Sequence, residues 1–261
     1  MMFGRRILIL AAHPDDEVVA CAAAIGRAQA GGAAVSVLFL THGCIAREVM
    51  WPWDRKNYDA HVARRRAEGE KACAFLDITP VGWSVRPARH LWRDLPAVHK
   101  TVEGVIAEHA IDQLWAPAYE GGNPDHDGLN AVASLFGGAN GNSPRVLEFA
   151  EYNFNGGKAH SQAFPFPRGA EQTIALTSAE RQHKLAALGI YVSEKGNLDY
   201  VEVERECFRP LIRYDYNFPP HGGTLWYARF QWVPFRHPRV DFTRPDEVSA
   251  AIADFLRTRA A

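Results

Sequence analysis

One short turn near the start of the chain carries residues that could bind a metal ion. His13 and Asp16 form a His-x-x-Asp pair, so one imidazole and one carboxylate can converge on the same cation. Asp15 belongs to the same turn and is not needed as a ligand. Acids in a first helical turn can also serve only to complement the helix dipole. The histidine just before the two acids favours the metal-binding interpretation.

This turn lies between a predicted strand and a predicted helix. Residues 7–12 form a short apolar run that is typical of a buried strand. The Ala-rich residues 15–29 predict a helix, with Pro14 at its first position and Gly31 and Gly32 ending it. Ligands of open α/β sheets bind at the carboxyl ends of the strands, which is where the turn should lie.

A second turn of the same kind follows about 110 residues later in the chain. Residues 112–116 predict a strand, and a helix is expected over residues 129–136. The connection contains Gly121 and Gly122, which allow a sharp backbone turn, and then His126. We therefore expect His126 at the sheet edge that carries the first turn.

Two motifs, Ala12-His13-Pro14-Asp15-Asp16-Glu17 and Asn123-Pro124-Asp125-His126-Asp127, resemble the two signatures of a known enzyme family. This is the PIG-L / LmbE-like family of zinc-dependent N-acetylglucosaminyl deacetylases. Two motifs in the right order are more specific than either alone. The similarity is clear from about Arg6 to Asn130, and thinner to about Phe230.

His13, Asp16 and His126 would give a metal site with two histidines and one carboxylate. Three protein ligands leave one position open, as in catalytic zinc sites, although the same set also suits Fe²⁺. The resemblance implies Zn²⁺, one ion per chain. It also implies that Asp15 is the general base, which takes a proton from the metal-bound water that attacks the amide carbonyl.

The second motif departs from the family pattern at its first residue. Where the family has a histidine that is implicated in stabilising the oxyanion, this chain has Asn123. An asparagine can donate a neutral hydrogen bond, but it cannot carry charge or transfer a proton. Three alternatives follow: Asn123 suffices as a catalytic residue, another histidine (His42, His160 or His221) replaces it, or the activity is altered. Asp125 could support a metal ligand or simply cap the helix.

Three further residues are candidates for substrate binding. His42 follows a predicted strand over residues 34–40, and it could contact substrate or be an ordinary hydrogen-bonded loop histidine. Arg65 belongs to an Arg-x-x-Glu pattern whose arginine, by resemblance, reaches the substrate, and it could also pair with Glu68. His221 lies in a Pro- and Gly-rich loop that could fold over the site.

Aromatic residues are concentrated in two irregular segments, residues 44–60 and 190–240. In the first, Trp51 and Trp53 could stack on a sugar or anchor the loop by packing. The second is expected to contain strands at best and to build the substrate pocket.

The predicted elements alternate between strands and helices, which indicates an α/β fold. We expect a Rossmann-like, mostly parallel sheet flanked by helices, with an irregular, aromatic-rich β and loop C-terminal part. We expect a single domain over residues 1–261, with the metal-binding core in 1–152 and the substrate-pocket and capping elements in 153–261. The remaining predicted strands cover 80–84, 145–152 and 172–176, and the remaining helices cover 61–76, 95–109, 178–188 and 248–258.

Composition narrows the classes of function. The 261 residues carry a formal net charge of −1, so no basic field is available to attract nucleic acid. No run of 18 apolar residues predicts a transmembrane segment, and the N-terminus does not resemble a secretory signal. The four scattered cysteines are expected to be reduced thiols in a cytoplasmic protein. A homo-oligomer is left open.

The sequence thus predicts a metal-dependent hydrolase that removes an N-acyl group, expected to be acetyl, from a small molecule containing an amino sugar or from a glycoconjugate. The alternative is a non-catalytic Rossmann-like protein that binds a metal or another ligand. A dinucleotide-binding protein is disfavoured, because the first strand exit lacks the Gly-x-Gly-x-x-Gly pattern and has acids where a pyrophosphate would lie.

Overall fold

Short apolar strands and the helices between them build one main sheet that is covered on both faces. The computed structural model describes residues 2–137 and 143–260. The strands are β1 (Arg6–Ala11), β2 (Ala34–Phe39), β3 (Thr79–Trp83), β4 (Gln113–Pro117), β5 (Arg145–Phe149), β6 (Tyr152–Asn153), β7 (His160–Ser161), β8 (Gln172–Ala175) and β9 (Arg205–Pro210). The α-helices are α1 (Asp16–Ala30), α2 (Tyr58–Leu76), α3 (Leu95–Glu108), α4 (Pro124–Ser134), α5 (Ser178–Leu188) and α6 (Pro245–Ala260).

The main sheet has seven strands in the order β3-β2-β1-β4-β5-β9-β8. The first five are parallel, whereas β9 runs antiparallel to β5 and to β8. The strand order reverses between β1 and β4, and in such sheets this reversal opens a crevice at the carboxyl ends of the two strands. The predicted fold, a mostly parallel Rossmann-like sheet flanked by helices, is confirmed.

The central strand β1 is buried on both faces, as its continuous apolar run predicts. Ile7 and Ile9 pack into the core under α1, α2 and α5. Leu8 and Leu10 pack into the opposite core, which α3, α4 and α6 cover. The exit of β1 is therefore held from both sides by packed side chains.

Some boundaries differ from the prediction. Helix α1 begins at Asp16, so Pro14 precedes the helix instead of occupying its first position. Helix α4 begins at Pro124, earlier than predicted, which places His126 in its first turn. The sheet also continues beyond residue 152 through β8 and β9, while the functional division of the chain at that residue stays a prediction.

The four cysteines form no disulfide bonds. None of the described helices combines the length and the apolar character that crossing a bilayer would require.

Candidate active site

The exits of β1 and β4 bring the two motifs together. The Nδ1 atom of His13 lies 3.6 Å from Oδ1 of Asp16, and Nε2 of His126 lies 3.4 Å from the same oxygen. The two imidazole nitrogens are 3.2 Å apart. Ligand atoms about 2.0–2.1 Å from a tetrahedral zinc ion would be separated by about 3.3 Å. The three side chains therefore fit a metal ion by donor type and by spacing.

Electrostatics at this cluster also suits a cation. Burial by itself would lower the pKa of His13, but hydrogen bonds to Asp125 and Asp16 outweigh it and raise the pKa to about 10. The Asp16 carboxylate pays a burial penalty, yet the neighbouring histidines hold its pKa well below the usual range. Two acids thus favour positive charge at the position where the sequence predicts a metal.

Asp125 supports His13 from behind. Its Oδ2 atom lies 3.2 Å from Nε2 of His13, and its carboxylate also accepts the backbone N–H groups of Arg89 (2.5 Å) and Leu91 (2.9 Å). Asn123, not Asp125, caps α4, because its side-chain oxygen accepts the N–H of Asp125 at 2.9 Å. Of the two alternatives for Asp125, this geometry favours support of a metal ligand.

Asp15 lies at the N-cap of α1 in an unusual backbone conformation. Its φ of 145° is rarely adopted by residues other than glycine. The backbone N–H of Asp15 donates to Glu17 at 3.0 Å, which stabilises this turn. Burial raises the pKa of the Asp15 carboxyl to about 7, although the Arg65 guanidinium, 2.7 Å away, acts to lower it.

Arg65 contacts the acids of the site. It is 2% exposed, and besides Asp15 it pairs with Glu194 at 3.3 Å. The predicted pair with Glu68 is not formed, because Glu68 instead accepts the backbone N–H of Ser193 at 3.0 Å and pairs with Arg64 at 3.3 Å. The expected Arg65–Glu68 pair was wrong because helical spacing allows Glu68 to pair with either Arg64 or Arg65. The hydrogen bond from the loop at Ser193 accompanies the pair with Arg64. A direct contact of Arg65 with substrate stays a prediction.

The other candidate histidines make hydrogen bonds outside the cluster, although Nε2 of His221 has no partner among the described residues. His42 accepts the backbone N–H of Cys44 at 3.2 Å, and its second nitrogen lies 3.1 Å from the Tyr58 hydroxyl. His221 lies 3.0 Å from the carbonyl of Gly222, and His160 lies 3.1 Å from that of Asn155. None of the three is among the residues that line the cavity, whereas Asn123 is. Substrate contacts of His42 and His221 stay predictions that this geometry does not favour.

A cavity of about 780 Å³ opens above the cluster. Aromatic rings form part of its wall: Tyr152 lies 5.8 Å from the His126 ring, and Trp226 packs against Tyr152 (5.2 Å) and Tyr200 (5.3 Å). Trp51, from the first aromatic segment, lines the cavity and stacks on Trp53 at 5.1 Å. Trp51 can therefore both anchor its loop and contact a ligand.

Two buried acids near the cluster, Glu17 and Glu151, were not assigned a role from the sequence. Glu17 joins the backbone of Asp15 to the hydroxyl of Tyr191, and its place beside the first motif was the available signal. Glu151 lines the cavity, and its Oε1 has no hydrogen-bond partner among the described residues. Burial raises its pKa well above the usual value. Its only sequence signal is an acid just after the apolar strand β5.

Comparisons with known proteins agree with this geometry. Residues 8–136, about half of the chain, match the PIG-L family model, which is described as GlcNAc-PI de-N-acetylase. No curated protein sequence gives a significant match.

Several solved structures share the fold. A deacetylase of the teicoplanin biosynthesis pathway has a TM-score of 0.62 at 16% identity, covering 80% of this chain and 99% of that one. The A40926 pseudoaglycone deacetylase has a TM-score of 0.59 at 18% identity, covering 80% and 98%. The N,N'-diacetylchitobiose deacetylase from Pyrococcus horikoshii has a TM-score of 0.54 at 15% identity, covering 78% and 83%. At these identities the likeness is evidence for the fold alone.

Proposed function

The chain belongs to the PIG-L family, and from this premise we propose that it is a metal-dependent N-deacetylase acting on an amino-sugar-containing substrate. The observation that carries the proposal is the convergence of His13, Asp16 and His126 in one cluster, of which His13 and Asp16, together with the adjacent Asp15, line an open cavity. The fold neighbours support it, since their names describe deacetylases of teicoplanin, of a related pseudoaglycone and of diacetylchitobiose.

We propose Zn²⁺ as the native metal, with Fe²⁺ as the alternative that the same donor set allows. Nδ1 of His13, Oδ1 of Asp16 and Nε2 of His126 would hold it. A metal held by these residues would lower the pKa of a bound water towards neutrality and would polarise an amide carbonyl.

Asp15 is the proposed general base. Its pKa of about 7 suits a group that must take up and release a proton near neutral pH. The Arg65 guanidinium fixes one carboxylate oxygen at 2.7 Å, and Glu17 fixes the backbone. The carboxylate can then accept a proton from water and return it to the departing amine.

Asn123 is the proposed hydrogen-bond donor for the developing oxyanion. Its Oδ1 is committed to the N–H of Asp125, so the side-chain NH₂ is the group that can donate to a ligand in the cavity. This contact would be a neutral hydrogen bond, in place of the charged one that the family histidine could offer.

We further propose that the N-terminal part of the chain carries the catalytic groups and the C-terminal part binds the substrate. Residues 1–152 supply the metal ligands and the base, and residues 153–261 supply Tyr200 and Trp226, which line the cavity. Aromatic rings in such a wall suit a sugar, whose apolar faces can pack on them. The acyl group is expected to be acetyl.

Metal content and acetate release test this proposal together. The purified protein should bind about one zinc per chain and release acetate from an N-acetylated amino sugar. His126→Ala should lose both properties, while His61→Ala, a cavity histidine outside the cluster, should keep them. Failure to bind metal after reconstitution would contradict the proposal. Metal binding without hydrolysis of any N-acetylated sugar would favour the non-catalytic alternative.

A further inference from the structure

Arg229 is a cation in the cavity wall that lacks an acidic partner. It is half-buried, and its guanidinium lies over the rings of Trp226 (3.9 Å) and Phe230 (4.5 Å). One of its N–H groups donates to the backbone carbonyl of Trp226 at 2.5 Å. Within residues 2–137 and 143–260, no carboxylate lies within ion-pair distance of it.

The two fully buried arginines of the described residues, Arg65 and Arg209, are both paired with acids. Arg65 contacts Asp15, and Arg209 contacts Glu148 at 2.6 Å. Even Arg89, which lines the same cavity, lies 3.4 Å from an acid, Asp241. Removing a charge from water is costly unless an opposite charge compensates it. An unpaired arginine in a cavity wall therefore suggests that the compensating anion comes from a ligand.

The position of Arg229 fits a group on the substrate. A continuous series of ring contacts leads from the metal cluster: His126 to Tyr152 (5.8 Å), Tyr152 to Trp226 (5.2 Å), and Trp226 to the guanidinium (3.9 Å). A ligand whose acyl group lies at the cluster would thus reach Arg229 with a more distant part. These wall residues lie outside residues 8–136, so the family match says nothing about them.

The surrounding charges agree with an anion subsite. Arg239, from the same segment as Arg229, also lines the cavity, and residues 228–239 contain no acid. The nearest acid in sequence, Asp241, also lines the cavity but pairs with Arg89 at 3.4 Å, and Asp54, Glu194 and Asp199 belong to other segments.

We propose that Arg229 binds an anionic group, a phosphate or a carboxylate, carried by the N-acylated amino-sugar substrate. This inference rests on the proposed deacetylase function. The two aromatic rings and the backbone carbonyl fix the guanidinium in advance, so little side-chain entropy is lost on binding. A planar guanidinium can offer two parallel N–H groups to either anion.

Binding of matched sugars to the zinc-loaded protein tests the inference. The probes are N-acetylglucosamine, its 1-phosphate, its 6-phosphate and N-acetylmuramic acid, so that phosphate and carboxylate are compared with a neutral sugar. We expect at least one anionic sugar to bind about tenfold more tightly than N-acetylglucosamine, by calorimetry at low salt. Arg229→Met should abolish this preference and leave the neutral sugar's Kd within about twofold. Arg229→Lys should restore part of it.

Two features of the experiment keep the outcomes distinct. Arg236→Met, an exposed arginine of the same segment that does not line the cavity, should leave the preference unchanged. A preference that survives in Arg229→Met would come from anion binding to the metal or to Arg239, and either source would overturn the inference. Equal binding of neutral and anionic sugars, or no measurable binding of any, would also overturn it.

Acetate release is measured on the same four sugars. Turnover of neutral N-acetylglucosamine without any anion preference leaves the deacetylase proposal intact and rejects the subsite. Arg229-dependent anion binding without turnover of any sugar rejects the deacetylase and retains the subsite.

Discussion

The floor and the wall of the cavity are built on different principles. The floor consists of strand-to-helix turns at the exits of β1 and β4, and its side chains hold one another: Asp125 supports His13, and Arg65 holds Asp15. Much of the wall comes from the C-terminal irregular segment, where Trp226 and Arg229 meet through ring contacts and a single backbone hydrogen bond.

This difference separates chemistry from recognition. Groups that bind a metal or move a proton must be held within fractions of an ångström, which a rigid sheet edge with paired charges provides. Groups that select a substrate need a contact surface of suitable shape and polarity, and their exact distances matter less. Aromatic side chains on a loop provide such a surface. Substitutions in the floor should therefore lower kcat or metal affinity, and substitutions in the wall should raise KM.

The largest expected effect is that of Asp15→Asn. The amide keeps the shape of the side chain but cannot accept a proton, so kcat should fall by about 10² to 10⁴-fold while zinc content is unchanged. Steady-state acetate release and metal analysis on the same preparation measure this. Asp54→Asn, another cavity acid, serves as the control and should keep kcat within about threefold. Near-normal turnover by the Asp15 variant would exclude a general-base role.

Asp125→Asn should act on the metal and not on the proton transfer. Removing the charge behind His13 should weaken zinc binding by about 10 to 100-fold, as measured by competition with a chelator. Asp127→Asn is the matched control, because Asp127 is equally buried and accepts two backbone N–H groups, yet it does not contact His13. Equal losses in both variants would mean that a general loss of packing, and no specific support of His13, explains the effect.

The floor was largely predictable from the sequence. Local patterns place His13, Asp16 and His126 at strand exits, and parallel strands bring their exits to one edge of a sheet. The Arg65 contact was not predictable in the same way. Its helix offers Glu68 at helical spacing, and the choice of Asp15 depends on how α2 packs beside α1.

Little of the wall was predictable. Outside strand β9, residues 190–240 show no helical or strand periodicity that would indicate which aromatic residues face inward. Whether Arg229 has an acidic partner depends on which carboxylates the fold places near it. Spacing along the sequence does not indicate this. His221 is a further case: its loop composition suggested that the loop could fold over the site, and although His221 is not among the residues that line the cavity, its contact with substrate stays a prediction.

Zinc affinity should depend on pH through His13. In the metal-free protein its pKa is about 10, so the imidazole is protonated below that value, whereas a ligand imidazole must be neutral. Binding therefore releases a proton, and affinity should tighten about tenfold per pH unit between about pH 7 and pH 9. Chelator competition at several pH values measures the slope. In Asp125→Asn the pH dependence of zinc affinity should level off at a lower pH, because the carboxylate that helps to raise the pKa of His13 is gone. A zinc affinity that does not change with pH in either protein would contradict the prediction.

Trp226→Leu probes the wall directly. Loss of the ring that contacts Tyr152 and carries Arg229 should raise KM about tenfold and leave kcat within about threefold. Trp232→Leu is the control, since Trp232 is 76% exposed and does not line the cavity. A loss confined to kcat would mean that Trp226 acts in the chemical step, as the floor residues do, and not in substrate binding.

The smallest expected effect lies outside both regions, in the capping box of α5. The Thr177 side chain accepts the N–H of Glu180 at 3.2 Å, and Glu180 accepts the N–H of Thr177 at 2.7 Å. Thr177→Ala should lower the free energy of unfolding by about 1 kcal/mol, measured by urea denaturation. Ser178→Ala, which loses only an exposed side-chain contact, should cost less than about 0.5 kcal/mol.

Helix α5 packs on α1, the helix that presents Asp15 and Asp16. If the hydrogen bonds and ion pairs of the floor fix its geometry locally, Thr177→Ala should leave kcat and zinc affinity within about twofold while stability falls. A decrease in kcat that accompanies the loss of stability would instead mean that the floor depends on the packing of the whole helical layer. The different effects of floor and wall substitutions would then depend on how close each region lies to the hydrophobic core, more than on the hydrogen bonds and ion pairs within each region.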